Sequence, residues 1–294
     1  MSGLRGQITE LIVIPAVAVL LPWSWTYRLL RQLSRFSWLY REETELAEPA
    51  AIANGIFETG PVWRRHFRIN KLIDGVDPWL IRFRSKRWME KHLEVKGSWP
   101  TDGPFVALSI HWGAGMWGIR HIQHNSQPVS VIARPVSEWG TVFSTPKRIY
   151  IEFYEREIER AGGTDITVTG PGLTKRMANQ IEMGHGLLAL LDVPKGKNEG
   201  GFPVEFLGQP TYFATGIVNI AVKHNWPIVP YAIGVDFKTG KRQLEIKPPI
   251  KVADTHDAVT QLAAYFDDVV RREPTLWLFW NLHDAFLSSD FSQQ

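Results

Sequence analysis

The sequence predicts an α/β protein in which a mostly parallel or mixed central sheet is flanked by helices, with a helical extension at its N-terminus. Short apolar runs without polar alternation, such as residues 105–110 and 186–191, are typical of strands buried on both faces. Strand and helix patterns alternate through residues 101–294. Residues 1–100, in contrast, have helical patterns and no convincing strand. We therefore expect a helical segment 1–100 and an α/β segment 101–294, joined in one continuous structural unit.

Residues 11–25 are almost wholly apolar and read LIVIPAVAVLLPWSW. The segment is shorter than the ~20 residues that a helix needs to cross a bilayer. A signal peptide is disfavoured because Glu10 abuts the segment and no small-residue cleavage site follows it. Arginines interleaved with aromatic residues come next: Arg28, Arg31, Arg35 and Arg41, with Trp23, Trp25, Tyr27, Trp38 and Tyr40. This pattern favours a helix that lies in one leaflet of a membrane, with a core-packed helix or a true span as alternatives.

The rest of the N-terminal segment predicts amphipathic and basic helices. Residues 42–57 predict one helix, and the basic, aromatic-rich residues 62–93 predict two that are separated at residues 75–78. The basic residues favour a cationic face that binds anionic headgroups or an acidic carrier protein, and the alternative is an ordinary solvated helix face. The arginines expected to bind substrate on this face are Arg64, Arg65, Arg82 and Arg84.

The α/β segment is punctuated by turns at its glycines and prolines. The predicted strands cover residues 105–110, 129–133, 165–169, 186–191, 228–235 and 243–246. The predicted helices cover residues 115–124, 146–160, 170–183, 211–224 and 257–272.

Composition narrows the chemistry. The 294 residues carry a formal net charge of +3, so acidic and basic side chains nearly balance and a nucleic-acid partner is not expected. The absence of cysteine excludes disulfides, thiolate metal sites and a cysteine nucleophile. The 13 tryptophans and 15 phenylalanines are many for a cytosolic enzyme.

Three predicted strands end at polar side chains, His111, Arg134 and Asp192. The C-terminal ends of parallel strands share one edge of a sheet, so the three side chains can converge on one site. A histidine there can act as a general base with little change in its pKa. Gly113 and Gly115 keep the following backbone slim, so that a substrate can approach closely. The alternative is a histidine that is hydrogen-bonded to backbone at a strand end.

Two other patterns are weaker. Ser109 lies two residues before His111, but the chain has no G-x-S-x-G elbow, so serine hydrolysis is disfavoured. His121 and His124 are spaced i, i+3 on a predicted helix without an accompanying acid, so packed or solvated histidines are expected there, not metal ligands.

Four stretches of the chain resemble the bacterial lipid A late acyltransferases and, more broadly, the lysophospholipid acyltransferases. They are the strand that leads into His111, the triplet Ala133-Arg134-Pro135, the run from Leu188 to Asp192 with the later Val204–Pro210 and Ala214–Gly216 segments, and the tail with Trp280, His283 and Phe286. The likeness covers most of the chain. Its specificity lies in the order and spacing of the four stretches.

The resemblance implies a membrane-associated acyltransferase that uses an acyl carrier protein or coenzyme A thioester as donor and a membrane lipid or glycolipid as acceptor. It implies His111 as general base, no cofactor and no metal, and a location at the cytoplasmic face of the cell inner membrane. Arg134 is then expected to hold an acceptor phosphate or the oxyanion. The residues expected to bind substrate beside the base are Trp112, Gly113, Gly115 and Met116.

The sequence departs from the family's H-x4-D/E motif, because Met116 stands where the acid is expected. That acid accepts a hydrogen bond from the imidazole N–H, fixes the tautomer and stabilises the imidazolium, which a thioether cannot do. Three alternatives follow. Glu138 or Asp192 reaches His111 through the fold, a backbone carbonyl or water orients the ring, or the protein is a silent relative that binds lipid or forms a complex. A lipid or thioester hydrolase is a further alternative.

Overall fold

The computed structural model describes residues 4–56, 58–134, 144–193, 203–213 and 215–285. The described strands are β1 (Leu93–Lys96), β2 (Val106–Ser109), β3 (Val129–Ala133), β4 (Thr167–Val168), β5 (Gly186–Leu190), β6 (Pro203–Phe206), β7 (Gln209–Tyr212), β8 (Ile228–Val235) and β9 (Arg242–Ile246). Seven of these form a sheet in the order β1-β9-β8-β2-β5-β3-β4, and β6 and β7 form a separate hairpin.

Helices surround this sheet. They are α1 (Leu4–Ile8), α2 (Ile14–Leu20), α3 (Trp23–Leu33), α4 (Arg41–Ala53), α5 (Pro61–Phe83), α6 (Lys86–Lys91), α7 (Gly115–Asn125), α8 (Thr145–Gly162), α9 (Leu173–Glu182), α10 (Gly216–Lys223) and α11 (Thr255–Arg272). A π-helical turn, Thr9–Val13, joins α1 to α2, and 3₁₀ turns cover Pro274–Leu276 and Trp280–Ala285.

The sheet is mixed, and its central part is parallel. Strand β2 pairs in parallel with both β5 and β8, and β3 extends the parallel part through β5 and β4. Strand β9 is antiparallel to β8, and β1 is parallel to β9. The predicted fold class, a mostly parallel or mixed sheet flanked by helices, is therefore confirmed.

Two apolar cores lie on opposite faces of the sheet. Alternate residues of β2 point to each: Ala107 packs in the core that includes α5 and α7, and Val106 and Leu108 pack in the core that includes α10 and α11. All four β2 residues are buried, which explains the unbroken apolar run in the sequence.

Helix α5 contradicts the predicted break at residues 75–78, because it continues from Pro61 to Phe83 with Pro78 inside it. An internal proline costs a helix ~3 kcal/mol. Burial of the apolar side chains Leu72, Val76 and Leu80 outweighs that cost.

Two further predictions were wrong. Strand β1 lies within residues 1–100, where no strand was expected, since it adds to the sheet edge beside β9. The helix predicted from residue 211 begins at Gly216, because residues 209–212 pair with β6. Leu207 and Gly208, with φ of 55° and 76°, make the tight turn of that hairpin.

The apolar N-terminal segment is packed on one side only. Ile14, Ala18 and Trp23 are buried in the core, whereas Leu20 is 83% exposed and Trp25 is 62% exposed. Within the described residues, no helix combines the length and the apolar character needed to cross a bilayer.

Candidate active site

His111 lies just beyond the C-terminal end of β2, the central strand of the described sheet. Packing on both faces of β2 fixes where this strand ends. The His111 side chain keeps 26% of its surface exposed. Its ring stacks on Phe279, with ring centroids 3.8 Å apart. The imidazole is therefore supported on one face and remains accessible.

Asp192 follows β5, the neighbour of β2, and is fully buried. Its Oδ1 lies 2.8 Å from His111 Nδ1. The His111 backbone N–H donates to Oδ1 and Oδ2 at 3.0 and 2.9 Å. The Trp277 indole N–H donates to Oδ2 at 2.8 Å. Donors on both oxygens hold the carboxylate in one orientation, so it can in turn orient the imidazole.

This contact specifies the histidine tautomer. A carboxylate only accepts hydrogen bonds, so the ring proton lies on Nδ1 and donates to Asp192. The lone pair is then on Nε2, which makes no hydrogen bond in the described part of the chain. A histidine in this state can take a proton from a substrate at Nε2, while the carboxylate stabilises the resulting imidazolium.

Trp277 and Phe279 complete the surroundings of the pair, and sequence reasoning did not single them out. They come from the C-terminal segment, more than 80 residues after Asp192. The only signal was the tryptophan-rich tail, which drew attention to Trp280, and Trp280 donates to the Pro274 carbonyl instead. The other tail residues of the resemblance, the side chain of residue 283 and residue 286, lie outside the description.

Helix α5 holds the C-terminal segment against the site. The fully buried Asn70 amide donates to the carbonyls of Thr275 and Leu276, at 3.2 and 2.8 Å. The Leu278 N–H then donates to the His111 carbonyl at 2.8 Å. The tail thus enters the site as an added extended segment, fixed from both sides.

The residues after the histidine have different surroundings. Gly113 has φ of +69°, and a Cβ there would lie 2.3 Å from the Ile233 carbonyl oxygen, so the close approach is made by strand β8. At Gly115 the same construction meets nothing within 4 Å. Met116 is 3% exposed and belongs to the core, and the Trp112 indole N–H donates to a backbone carbonyl. Of these four, Gly115 leaves open space beside the site.

Arg134 follows β3, which pairs with β5, so it lies at the same sheet edge as His111 and Asp192. Strands in a sheet are spaced by ~4.8 Å, which places the end of β3 about 10 Å from the end of β2. Arg134 also interacts within the chain. Glu138 lies outside the described residues. The structure therefore brings Asp192 to His111 and places Arg134 two strands away.

The four arginines predicted on the basic face also differ from one another. Arg64 pairs with a glutamate of α4, with an N···O distance of 2.5 Å, and Arg82 lies 3.9 Å from a glutamate of α8. Arg84 donates to carbonyls at the end of α2, the Leu21 carbonyl at 2.8 Å. Arg65 has no ion pair in the described part of the chain and lines a surface cleft.

Asp74 is a second acid near the site that sequence reasoning missed. It lies on α5 one turn after Asn70, on the helix face that also presents Asp77. Burial raises its pKa, while Lys71 and the nearby His111 lower it. A carboxyl in these surroundings is a candidate for contact with a polar acceptor group.

The two histidines of α7, His121 and His124, are partly buried. Trp99 donates its indole N–H to His121 Nδ1 at 2.8 Å. Burial and the neighbouring His124 lower the pKa of His121 to about 4, so its ring is neutral near pH 7. No group of three or more potential metal-ligating side chains occurs in the described ranges.

Comparison with known proteins supports the resemblance predicted from the sequence. The family model described as bacterial lipid A biosynthesis acyltransferase matches residues 174–288, a range that includes Asp192 and Trp277. The crystal structure of the 1-acyl-sn-glycerophosphate acyltransferase PlsC from Thermotoga maritima is similar, with a TM-score of 0.38 and 15% identity, over 83% of this chain and 93% of that one. No curated protein sequence matches the chain significantly.

The family match covers less than half of the chain, and it supports an acyltransferase similar to the lipid A biosynthesis enzymes, with a lipid acceptor and an acyl donor. The predicted enzyme class is therefore confirmed.

Proposed function

We propose that the chain transfers a fatty acyl group from a thioester of acyl carrier protein or coenzyme A to a hydroxyl or amine of a lipid or glycolipid. The observation that carries this proposal is the 2.8 Å contact between His111 Nδ1 and the buried Asp192 carboxylate. Asp192 supplies the acid that the sequence lacks at Met116.

In the proposed reaction, His111 Nε2 takes the proton of the acceptor group as that group attacks the thioester carbonyl carbon. The tetrahedral intermediate collapses, the C–S bond breaks, and the imidazolium returns the proton to the leaving thiolate. Asp192 stabilises the imidazolium between these steps. Arg134, at the same sheet edge, is proposed to hold an acceptor phosphate or the oxyanion.

The geometry favours this reaction over the silent relative. A silent site has no need to keep a fully buried carboxylate supplied with donors on both oxygens, since burying it is costly. Serine hydrolysis is disfavoured because Ser109 is 2% exposed. A hydrolase that activates water at His111 is distinguished from a transferase by its product, a free fatty acid.

The N-terminal helices are proposed to rest on the cytoplasmic face of the cell inner membrane. Leu20 and Trp25 are large apolar side chains of this region that are strongly exposed, at 83% and 62%. Exposed apolar side chains beside arginines are typical of a helix that lies in the headgroup layer. The membrane then presents the lipid acceptor to the same molecule.

The test is acyl transfer from labelled acyl carrier protein and acyl-coenzyme A into a lipid extract, with wild type, His111→Ala and His224→Gln. His224 is exposed on another helix end, so its variant is the matched control. Label in a lipid band with wild type and the control, but not with His111→Ala, is expected. Free fatty acid as the sole product indicates the hydrolase, and no product from any donor contradicts transfer.

A further inference from the structure

Helices α3 and α5 enclose a basic cleft on the surface of the N-terminal region. The cleft has a volume of about 140 Å³ and is lined by Arg28, Arg31, Gln32, Arg35 and Arg65. A second cleft of about 130 Å³ shares Arg31 and Arg65 with it and adds Val62, His66, Ile69 and Phe237. Both are smaller than the ~300–1,000 Å³ of pockets for drug-sized ligands, so they suit a small group.

The arginines that line the cleft form no ion pairs with the residues that the structure describes. Within the described residues no carboxylate lies within ion-pair distance of Arg28, Arg31, Arg35 or Arg65, in contrast to Arg64 one position away. The Arg65 Nε is buried and has no hydrogen-bond partner in the described ranges of the chain. A buried guanidinium donor without an acceptor is costly, and an anion in the cleft would satisfy it.

The one titratable side chain in the lining that is not an arginine adds no negative charge. His66 stacks on Phe237, with ring centroids 4.1 Å apart. Burial lowers its pKa, Glu273 raises it, and Arg65 and Arg31 lower it again. The cleft is therefore a cationic site whose four arginines have no ion-pair partner among the described residues.

The surroundings of the cleft point to the source of the anion. Trp25 lies one turn before Arg28 on α3, and Phe36 and Trp38 follow Arg35, with 62%, 52% and 49% of their surfaces exposed. Val62, in the lining of the second cleft, is 65% exposed. Aromatic and apolar side chains around a cluster of arginines are characteristic of the membrane headgroup layer. An acidic protein partner is less suitable, because its surface could cover these side chains but would not fill so small a cleft.

We propose that the arginine cleft between α3 and α5 binds the phosphate of an anionic membrane lipid, with Arg31 and Arg65 as its central ligands. This site shares no lining residue with the His111 site. It rests on the proposed membrane association, and it adds a specific headgroup contact to the apolar one made by Leu20 and Trp25.

The test is sedimentation of the full chain with phosphatidylcholine vesicles, either alone or with phosphatidic acid or phosphatidylglycerol. The Arg31→Gln/Arg65→Gln variant is compared with Arg271→Gln/Arg272→Gln, which removes the same charge from ion-paired arginines of α11. A basic side chain at an anionic surface contributes about 1 kcal/mol, so the first variant is expected to lose roughly 30-fold in partitioning to anionic vesicles. The control is expected to stay within about twofold.

The remaining outcomes separate the alternatives. Equal loss of vesicle binding in both arginine variants, or loss in neither, overturns the proposed lipid site in the cleft. If Leu20→Ala/Trp25→Ala still abolishes vesicle binding in that case, the proposed membrane association stands. Wild type that transfers acyl groups but sediments with no vesicle overturns both association and the cleft, not the transfer. Saturable binding of inorganic phosphate that requires Arg31 and Arg65, with vesicle binding unchanged, assigns the cleft to free phosphate. If the Arg31→Gln/Arg65→Gln variant loses binding to acyl carrier protein while its vesicle binding is unchanged, the cleft binds the acyl donor, which contradicts the proposal.

Discussion

Trp277 links the C-terminal segment to the Asp192 carboxylate, which is hydrogen-bonded to His111. Its indole N–H donates to Asp192 Oδ2 at 2.8 Å, and its side chain is 2% exposed. We expect Trp277→Phe to lower the free energy of unfolding by about 1–3 kcal/mol and the transfer rate by roughly 3–10-fold, because one buried donor to the carboxylate is lost. Transfer kinetics and urea unfolding measure the two effects.

Trp280→Phe is the matched control for that variant. Trp280 is equally buried, but its indole N–H donates to the Pro274 carbonyl at 2.7 Å. A similar loss of stability with an unchanged transfer rate is expected. If both variants slow transfer equally, the contact with Asp192 has no special role.

Gly113 and Gly115 lie two residues apart, and substitution by alanine is expected to affect stability very differently at the two positions. Ala at 113 requires φ of +69° and places its Cβ 2.3 Å from the backbone oxygen of Ile233, so Gly113→Ala is expected to cost more than 3 kcal/mol. Ala at 115 meets nothing within 4 Å at the start of a helix, so Gly115→Ala is expected to be neutral within about 0.5 kcal/mol. Thermal unfolding of the two variants measures these changes in stability. Equal losses of stability would contradict this account of Gly113.

Some of the individual residues of the candidate site could be predicted from the sequence. His111, Arg134 and Asp192 were legible because each directly follows an apolar strand. Trp277, Phe279 and Asn70 were not, since their place depends on long-range packing of the tail and of α5 beside the sheet. Periodicity reports a residue's own element and gives no information on which distant segment lies beside it.

Arg242 on β9 joins three helices at one point. Its guanidinium is fully buried, ion-paired with Asp77 of α5, and lies 4.2 Å from the ring centroids of Trp23 on α3 and Trp117 on α7. Buried ion pairs contribute little net stability, but removing one partner leaves an uncompensated charge.

Arg242→Leu is therefore expected to lower the free energy of unfolding by about 3–5 kcal/mol. Asp77→Asn/Arg242→Leu should recover part of that loss, because the stranded carboxylate is gone. Urea unfolding of the single and double variants measures the coupling. Additive losses would show that the two groups do not act as a pair.

The elements themselves were predicted with uneven success. Strands 129–133 and 228–235 have the predicted bounds, because continuous β-branched and apolar runs are buried on both faces. Helix α5 was predicted to break near Pro78, but tertiary packing outweighs the cost of that proline. Strand β1 was not predicted, because it is an exposed edge strand that forms by pairing with the sheet.

The N-terminal segment and the sheet are in contact at several places in the molecule. Tyr27 of α3 donates its hydroxyl to the Phe237 carbonyl at 2.8 Å, and β1 extends the sheet beside β9. The division at residue 100 stays a prediction, and these contacts favour one cooperative unit. Unfolding curves from tryptophan fluorescence and far-UV circular dichroism are expected to coincide, and two separate transitions would contradict this expectation.

The pH dependence of stability follows in part from His121, whose pKa is lowered from the usual 6.5 to about 4. In the unfolded state His121 binds a proton below pH 6.5, whereas in the folded state it binds one only below about pH 4. Its contribution is therefore fully present above pH 6.5 and is lost as the pH falls toward 4, by an amount on the order of 2–3 kcal/mol.

His121→Gln tests this contribution, because glutamine can accept the Trp99 N–H without titrating. The variant is expected to lose less stability than wild type between pH 7 and pH 4.5 in urea unfolding. Parallel losses in the two proteins would show that His121 does not contribute.

The central claim is that His111 and Asp192 act as one unit in acyl transfer. The most direct measurement is the transfer rate of wild type, His111→Ala, Asp192→Asn and the double variant under one set of conditions. Each single variant is expected to fall by about 10²–10⁴, and the double variant no more than about threefold further, because a unit is lost once. A double variant that shows the product of the two single losses, or an Asp192→Asn enzyme as fast as wild type, would contradict the account.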